Sequence, residues 1–425
     1  MPLEEPKVDI MHYLYNLILF IIWPFAAFVD AIKRIRIKRY RFIIFLFFCI
    51  SAIFIIPYED GDIRLYERSI ETYSQLGINA ILLDLYLSLT GSGSRGFEMF
   101  IPLNSYLTSL IANDVRISFV ITAALFYIFW IAIVTKLIEE YDGSIKPNNK
   151  ALLLIFVFSI YIIFFRALNG RFYLAYWGAI LGAYMIINEK KRLYFLLTLS
   201  TIFIHQSFIF FNAILLIHFL FQKYYKNKVG EIVLIGLIIG GAIFNQVGLK
   251  FVSENLSFLS DSVTDSFSSY TKESYIENVA EWTTEKTWFQ VLRGPLLFYS
   301  TAILLMILRF TKRDFFLLDP RMKSWYYFIL LFWAVNSLTF EIPQFGDRFR
   351  NVLIGFMILL LFKIYKNASL KRYNLLFYIF LLSFAFYKLV TLRVFAEYIN
   401  VYAFTPLPWF FNHFDEPFSL YNLIN

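Results

Sequence analysis

The chain has 425 residues, 59% of them hydrophobic and 16% charged, with a mean hydropathy of +0.62. A soluble domain fills its core with far less apolar material, so the composition excludes a soluble globular class and predicts an all-α polytopic membrane protein forming one integral domain over 1–425. The net charge of +8 is divided into short basic clusters between apolar runs, which act as topology signals and exclude a nucleic-acid footprint.

In chain order, the N-terminus lacks a basic region leading into a short apolar core and a small-residue cleavage site, so no removable signal peptide is expected. Residues 11–30 read as the first span, and are also compatible with lying in the interface. "KRIRIKRYR" (Lys33 to Arg41) is the strongest topology mark and belongs on the cytoplasmic side. The next span, 41–57, contains the single cysteine, Cys49, so neither a disulfide framework nor a thiolate metal site is available. Four scattered histidines suggest no metal centre, and no cofactor is expected.

Residues 58–115 then form a first long outer loop. It opens with the acidic "PYEDGDIRLYERSIETYSQLG", and its segment Phe97 to Ala112 reads as an amphipathic helix on the outer surface, too short and too rich in Asn, Ser and Thr to cross. Spans follow at 116–136, 150–166 and 171–188, with "KLIEEYDGSIKPNNK" between the first two placed on the cytoplasmic side by parity. The tight "ALNG" turn, whose Asn169 and Gly170 break helices, puts Arg166 and Arg171 at the outer ends of adjacent spans. The run 193–221 would be about 43 Å long as one helix, yet has basic clusters at both ends; two short helices meeting near His205 satisfy both signs. Span 230–249 leads to a second long outer loop, 250–292, rich in Ser and Thr and carrying Tyr270, Tyr275, Trp282 and Trp288. The remaining spans are 293–309, 324–339, 351–365 and 373–391, with Arg348 and Arg350 at an outer end and an aromatic outer tail over 393–425. This threading gives about 12 transmembrane helices, within a range of 11 to 14, with both termini outside.

An arginine at membrane depth costs several kcal/mol unless it lines a wet cavity or meets an anion. The short outer loops carry few acids to pair with Arg166, Arg171, Arg348 and Arg350, so the missing anion is read as a ligand. Guanidinium holds phosphate oxygens in a bidentate fork, and a pyrophosphate at the membrane surface suits such a group. Plainer roles exist for each residue. The arginines can be interfacial anchors, His205 a hydrogen-bonded core histidine, Asp60 and Asp62 solvated turn residues, and the loop aromatics an interfacial belt.

The stretch "FFRALNGRFYLAYWGAILGAYMIINEKKRLYFLLTLSTIFIHQSFIFF" resembles the signature region of the EpsG and Wzy-type polysaccharide polymerases. The shared pattern is an arginine at an outer helix end, a helix with small residues, a basic turn, then a short hairpin with His205 followed two residues later by Ser207. "EDGDIRLYERS" is similar to the family's Gly-Asp-x-x-x-Tyr stretch, "RGFEMFIPLNSYLTSLI" to its Glu-x-Gly-Phe helix, and "DRFRNVLIGF" to a late arginine motif. Two departures stand out. Relatives read Arg-Gln where this chain has "NGR", leaving either Arg166 or Arg171 as the equivalent, and Glu98 follows its Gly-Phe instead of preceding it.

The resemblance implies a GT-C-like glycosyltransferase in the bacterial cytoplasmic membrane, and the four arginines would let it work as a metal-independent enzyme. It would join polyprenyl-pyrophosphate-linked oligosaccharides at the outer face, with membrane lipids around it and a chain-length regulator and a flippase as partners. Arg166, Arg171, Arg348 and Arg350 would stabilise the leaving pyrophosphate. Asp62, Asp60 or His205 would orient or deprotonate the acceptor hydroxyl. Ser207, Glu98, Tyr270, Tyr275, Trp282 and Trp288 would contact substrate. A lipid-linked oligosaccharide flippase is the contrasting class, its arginines binding phosphate without chemistry, although no internal repeat is found and the polar groups gather at one face. An O-antigen ligase-like transferase shares the same sequence features.

Overall fold

The computed structural model describes residues 10–57, 62–92, 96–144, 148–162, 164–168, 170–255, 286–311, 319–339, 345–367, 370–408 and 418–424. The fold is almost entirely helical (86%), with no strand among the described residues. Within them, five stretches are long and apolar enough to cross a membrane: Val115–Asp142, Asn149–Arg166, Phe208–Tyr225, Trp288–Thr311 and Asn374–Tyr398. The chain is thus a membrane-embedded helical protein.

The expected span over 11–30 is instead two helices, α1 (Ile10–Ile22) and α2 (Pro24–Lys33). Pro24 cannot continue a helix from the preceding turn, and Trp23 leaves helical geometry at φ −145°. The two pack as a hairpin tied by Asn16 Nδ2 donating to Asp30 (2.7 Å). His12 reaches Tyr40 Oη at 2.7 Å, so α1 starts at the end of the bundle that holds Lys33 to Arg41, where a single span would have placed it at the other end.

After α3 (Lys38–Ile53), the first long loop holds three helices: α4 (Asp62–Leu76), α5 (Ile78–Thr90) and α6 (Phe100–Ile111). The third matches the helix expected over 97–112, with its polarity turned outward-in. Asn104, Ser105 and Thr108 are buried while Leu103, Leu107, Leu110 and Ile111 are exposed. Asn104 Nδ2 donates to the Ser118 carbonyl (3.1 Å), Ser118 Oγ (3.0 Å) and Thr122 Oγ1 (3.1 Å) of α7 (Val115–Asp142), and the outward leucines suit a lipid-facing surface.

Next come α8 (Asn149–Tyr161), the short α9 (Phe164–Leu168), α10 (Arg171–Glu189), α11 (Tyr194–Ile204), α12 (Phe208–Tyr225) and α13 (Lys228–Asn255). The chain continues with α14 (Trp288–Thr311), α15 (Pro320–Ser337), α16 (Phe345–Asn367), α17 (Asn374–Phe395) and α18 (Leu420–Ile424). Side-chain caps start several of them: Asp114, Asn148 and Asp319 accept from backbone N–H groups two residues on, at 2.9, 3.0 and 2.8 Å. The tail folds back onto the bundle: Ile399 bridges to Ile55, and Trp23 Nε1 donates to the Phe404 carbonyl (2.8 Å).

Two helices form the centre. Every residue from Arg171 to Asn188 of α10 is buried, as are 352–365 of α16, because apart from Arg171, Asn188 and Lys363 near their ends both stretches carry apolar residues on every face and can only be surrounded. Gly178 and Gly182, four residues apart, give α11 its close seat on α10: a Cβ on Gly182 would collide with Thr198 Cγ2, and one on Gly178 would lie 3.1 Å from Thr201 Cγ2. At one end of the bundle Arg36 grips Asp142 with two bonds of 2.7 Å, and Glu140 of α7 meets Lys363 (3.0 and 3.2 Å), Lys366 (2.9 Å) and the Tyr184 hydroxyl. Glu140, Asp142, Lys363 and Lys366 therefore share an end with Lys33 to Arg41. Seventeen residues of α10 separate Asn188 at that end from Arg171 at the other, about 26 Å along a helix.

Candidate functional site

The site lies where two helical paths break side by side. α8 stops at Tyr161, and the buried ammonium of Lys388 on α17 donates to the carbonyls of Ile160 and Tyr161, satisfying groups that an ended helix leaves orphaned. Gly170, extended at φ −152°, then starts α10 with Arg171 as its first residue. The second break is the α11–α12 junction. His205 is extended there (φ −152°, ψ 114°), the geometry of the vertex expected from the sequence.

The first long loop is pinned onto this vertex. Met99 N–H donates to the Phe203 carbonyl at 2.8 Å, and the Glu98 carboxylate accepts from the Gln206 N–H at 3.2 Å. The other Glu98 oxygen pairs with the Arg171 guanidinium, both side chains being buried. His205 Nδ1 lies 2.8 Å from Ser207 Oγ and 3.9 Å from Glu98 Oε1. The displaced Glu98 of "RGFEMF" thus reaches the centre through the fold of its loop. Burial, reinforced by Arg348 and Arg171, pushes the His205 pKa well below its ordinary value, so the ring is neutral and accepts hydrogen bonds.

Beside this knot is a cavity of about 250 Å³ lined by Arg166, Arg293, Arg350, Lys286, Asp347, Asn351 and Tyr387. Arg166 lies with its guanidinium carbon 4.1 Å from the Tyr173 ring centroid and donates to Tyr387 Oη (2.9 Å). Arg350 pairs with Asp347 at 3.1 Å. Arg293 carries a buried Nη1 with no hydrogen-bond partner among the described residues. Among the described residues this cavity is therefore lined by four cations and one carboxylate. Phe172 lies between His205 and Arg348, its ring centroid 5.4 Å from that of His205 and 5.8 Å from the Arg348 guanidinium carbon.

The sequence-predicted residues Arg166 and Arg350 line the cavity, while Arg171, His205, Ser207, Glu98 and Arg348 cluster around Phe172. Asp62 is the first residue of α4. Trp288 opens α14 and is 71% exposed, packed edge-on against Phe289. Asp60, Tyr270, Tyr275 and Trp282 lie outside the described residues. Sequence reasoning missed Arg293 and Lys286. "VLRGPLLF" held the signal, an arginine at the head of an apolar helix, as at Arg348 and Arg350. No family model matches the chain, and neither a curated protein nor a solved structure is significantly similar to it.

Proposed function

We propose that the protein is a membrane glycosyltransferase, GT-C-like with about twelve crossings, that polymerises polyprenyl-pyrophosphate-linked oligosaccharide repeat units at the outer face of the bacterial cytoplasmic membrane. The observation that carries this reading is the cavity lined by Arg166, Arg293, Arg350 and Lys286 with one carboxylate, where Arg293 also has a buried guanidinium N–H without a hydrogen-bond partner among the described residues. Such a cavity has the charge and donor set for a diphosphate.

In the reaction the acceptor hydroxyl oxygen bonds to the donor's anomeric carbon as the bond from that carbon to pyrophosphate breaks, its electron pair leaving on the phosphate oxygen. The arginines offset that developing charge by preorganised electrostatics, without a divalent metal. His205, neutral and held by Ser207 and Phe172, orients the hydroxyl as an acceptor. Asp60 and Asp62, at the start of the same loop as Glu98, are the carboxylates for proton removal.

The test is purified protein incubated with a synthetic lipid-linked repeat unit in the presence of a chelator, with products resolved by size. The expected result is a ladder. A single product would make the protein a ligase or single-sugar transferase, unchanged substrate would count against the polymerase and leave transport open, and a strict need for magnesium or manganese would refute the cation-driven mechanism.

A further inference from the structure

A second anion-shaped cavity lies at the opposite end of α10 and is independent of the proposed reaction. It has a volume of about 460 Å³, within the roughly 300–1,000 Å³ usual for small-molecule sites, and sits between the ends of α10, α12 and α15. Its rim carries Lys190, Arg192, Lys226 and Arg321, and an adjoining depression that shares Phe219, Gln222, Lys226 and Pro320 adds Lys223 and Lys323. Among the described residues none of these six cations is in an ion pair. The one carboxylate in the lining, Asp319, is engaged by the Arg321 N–H at 2.8 Å as the cap of α15.

Below the rim the lining changes character in a graded way. A polar floor is built from buried His218, whose Nε2 lies 3.0 Å from Ser324 Oγ, and from Gln222, which receives Lys226 Nζ at 2.9 Å. The walls are apolar: Ile186, Ile187, Leu215 and Phe219. The guanidinium of Arg192 lies 5.5 Å from the Phe219 ring centroid, spanning the boundary between rim and wall. Free phosphate would use the cations and leave the apolar wall idle; a phosphate carried on an acyl chain uses both. Basic pockets between membrane helices take anionic headgroups in this way.

We propose that this cavity binds the phosphate headgroup of an anionic phospholipid, with the first carbons of a chain against Ile187, Leu215 and Phe219. The experiment uses full-length protein in neutral detergent titrated with phosphatidylglycerol, with phosphatidylcholine and inorganic phosphate as separate arms, bound species being counted by native mass spectrometry. The variant is Arg192→Gln/Lys226→Gln/Arg321→Gln, whose residues lie at the surface or half-buried and outside the core. Phosphatidylglycerol affinity should fall at least about tenfold in the variant and weaken with added salt, while phosphatidylcholine binding stays unchanged. A control variant of equal charge loss, Arg39→Gln/Lys191→Gln/Lys228→Gln, should bind as the parent does. Equal loss in both variants, or unchanged phosphatidylglycerol affinity in the first, would overturn the proposal. Inorganic phosphate competing at similar concentration to the lipid would overturn the lipid assignment.

Discussion

Glu98 and Arg171 form the buried ion pair that holds the first long loop against the His205 vertex, and a double-mutant cycle on them separates holding from chemistry. Glu98 is 5% exposed and Arg171 9% exposed, so each charge has little access to water once its partner is gone. Removing one member of a buried pair costs about 3–5 kcal/mol. Glu98 keeps the Gln206 N–H at 3.2 Å, which places Arg171→Met near the lower limit, about 3 kcal/mol. Glu98→Gln/Arg171→Met removes both charges of this pair together and should recover about 2 kcal/mol of that loss. The measurement is unfolding of purified protein in mixed micelles for the parent, both single variants and the double variant. Arg171→Lys should keep the pair and the stability yet make no polymer, because lysine lacks the planar fork. Single-variant losses that simply add in the double variant would refute a coupled pair, and parent-like chain lengths from Arg171→Lys would refute a need for the guanidinium.

Four further outcomes follow from the geometry. Arg293→Ala should lower turnover by about 10²–10³ with normal insertion, and Arg293→Lys should recover only part of it, as the rate of ladder formation will tell. Gly182→Val has to push α11 off α10 where even a Cβ collides with Thr198; a loss of about 1–3 kcal/mol and a displaced His205 are expected, and a parent-like melting curve would count against the close seat. Lys388→Met strands the carbonyls of Ile160 and Tyr161, costing about 1–3 kcal/mol for each group left without a donor, with micelle unfolding as the check. His205→Gln should lower the height of the pH–rate profile without changing its shape between about pH 6 and 8, since the buried ring is neutral throughout; a limb lost in the variant would show that His205 titrates in that window.

How much was legible in the sequence differs from one element to another. The helical class and the hairpin vertex at His205 were readable because apolar runs and basic clusters report on solvent preference residue by residue. The Trp23–Pro24 break runs against the expectation: residues 11–30 read as one apolar run from their length, and Pro24 within that run divides it into two helices. Glu98 shows the opposite case. Its position in "RGFEMF" gives no hint of a partner, because that partner, Arg171, stands 73 residues away and is met only when Met99 bonds to Phe203. Arg293 stands at the head of the span 293–309, directly after the long polar loop, and nothing local ties it to Arg166 or Arg350, which it meets only in the folded bundle. Local patterns encode which residues prefer lipid; the meeting of residues from different helices depends on packing, here the Gly178–Gly182 seat and the all-round burial of α10 and α16.

The two polar centres at the ends of α10 contain similar side chains and differ in what their helices do. Around Glu140 the helices α7, α10 and α16 run unbroken, and the carboxylate receives Lys363, Lys366 and Tyr184 directly. In this network both ammoniums and the tyrosine hydroxyl donate to the one carboxylate, and its work is to bind three helices together. At the Arg166 end two helical paths are interrupted, Lys388 is diverted to cap a terminated helix, and cations outnumber carboxylates around an open volume. Broken helices in apolar surroundings leave backbone groups that must be satisfied, so irregular backbone persists where it lines a polar cavity. Helix breaks, more cations than carboxylates in the lining and a buried guanidinium N–H without a hydrogen-bond partner among the described residues occur together at that end, and this combination distinguishes the Arg166 cavity from the centre around Glu140.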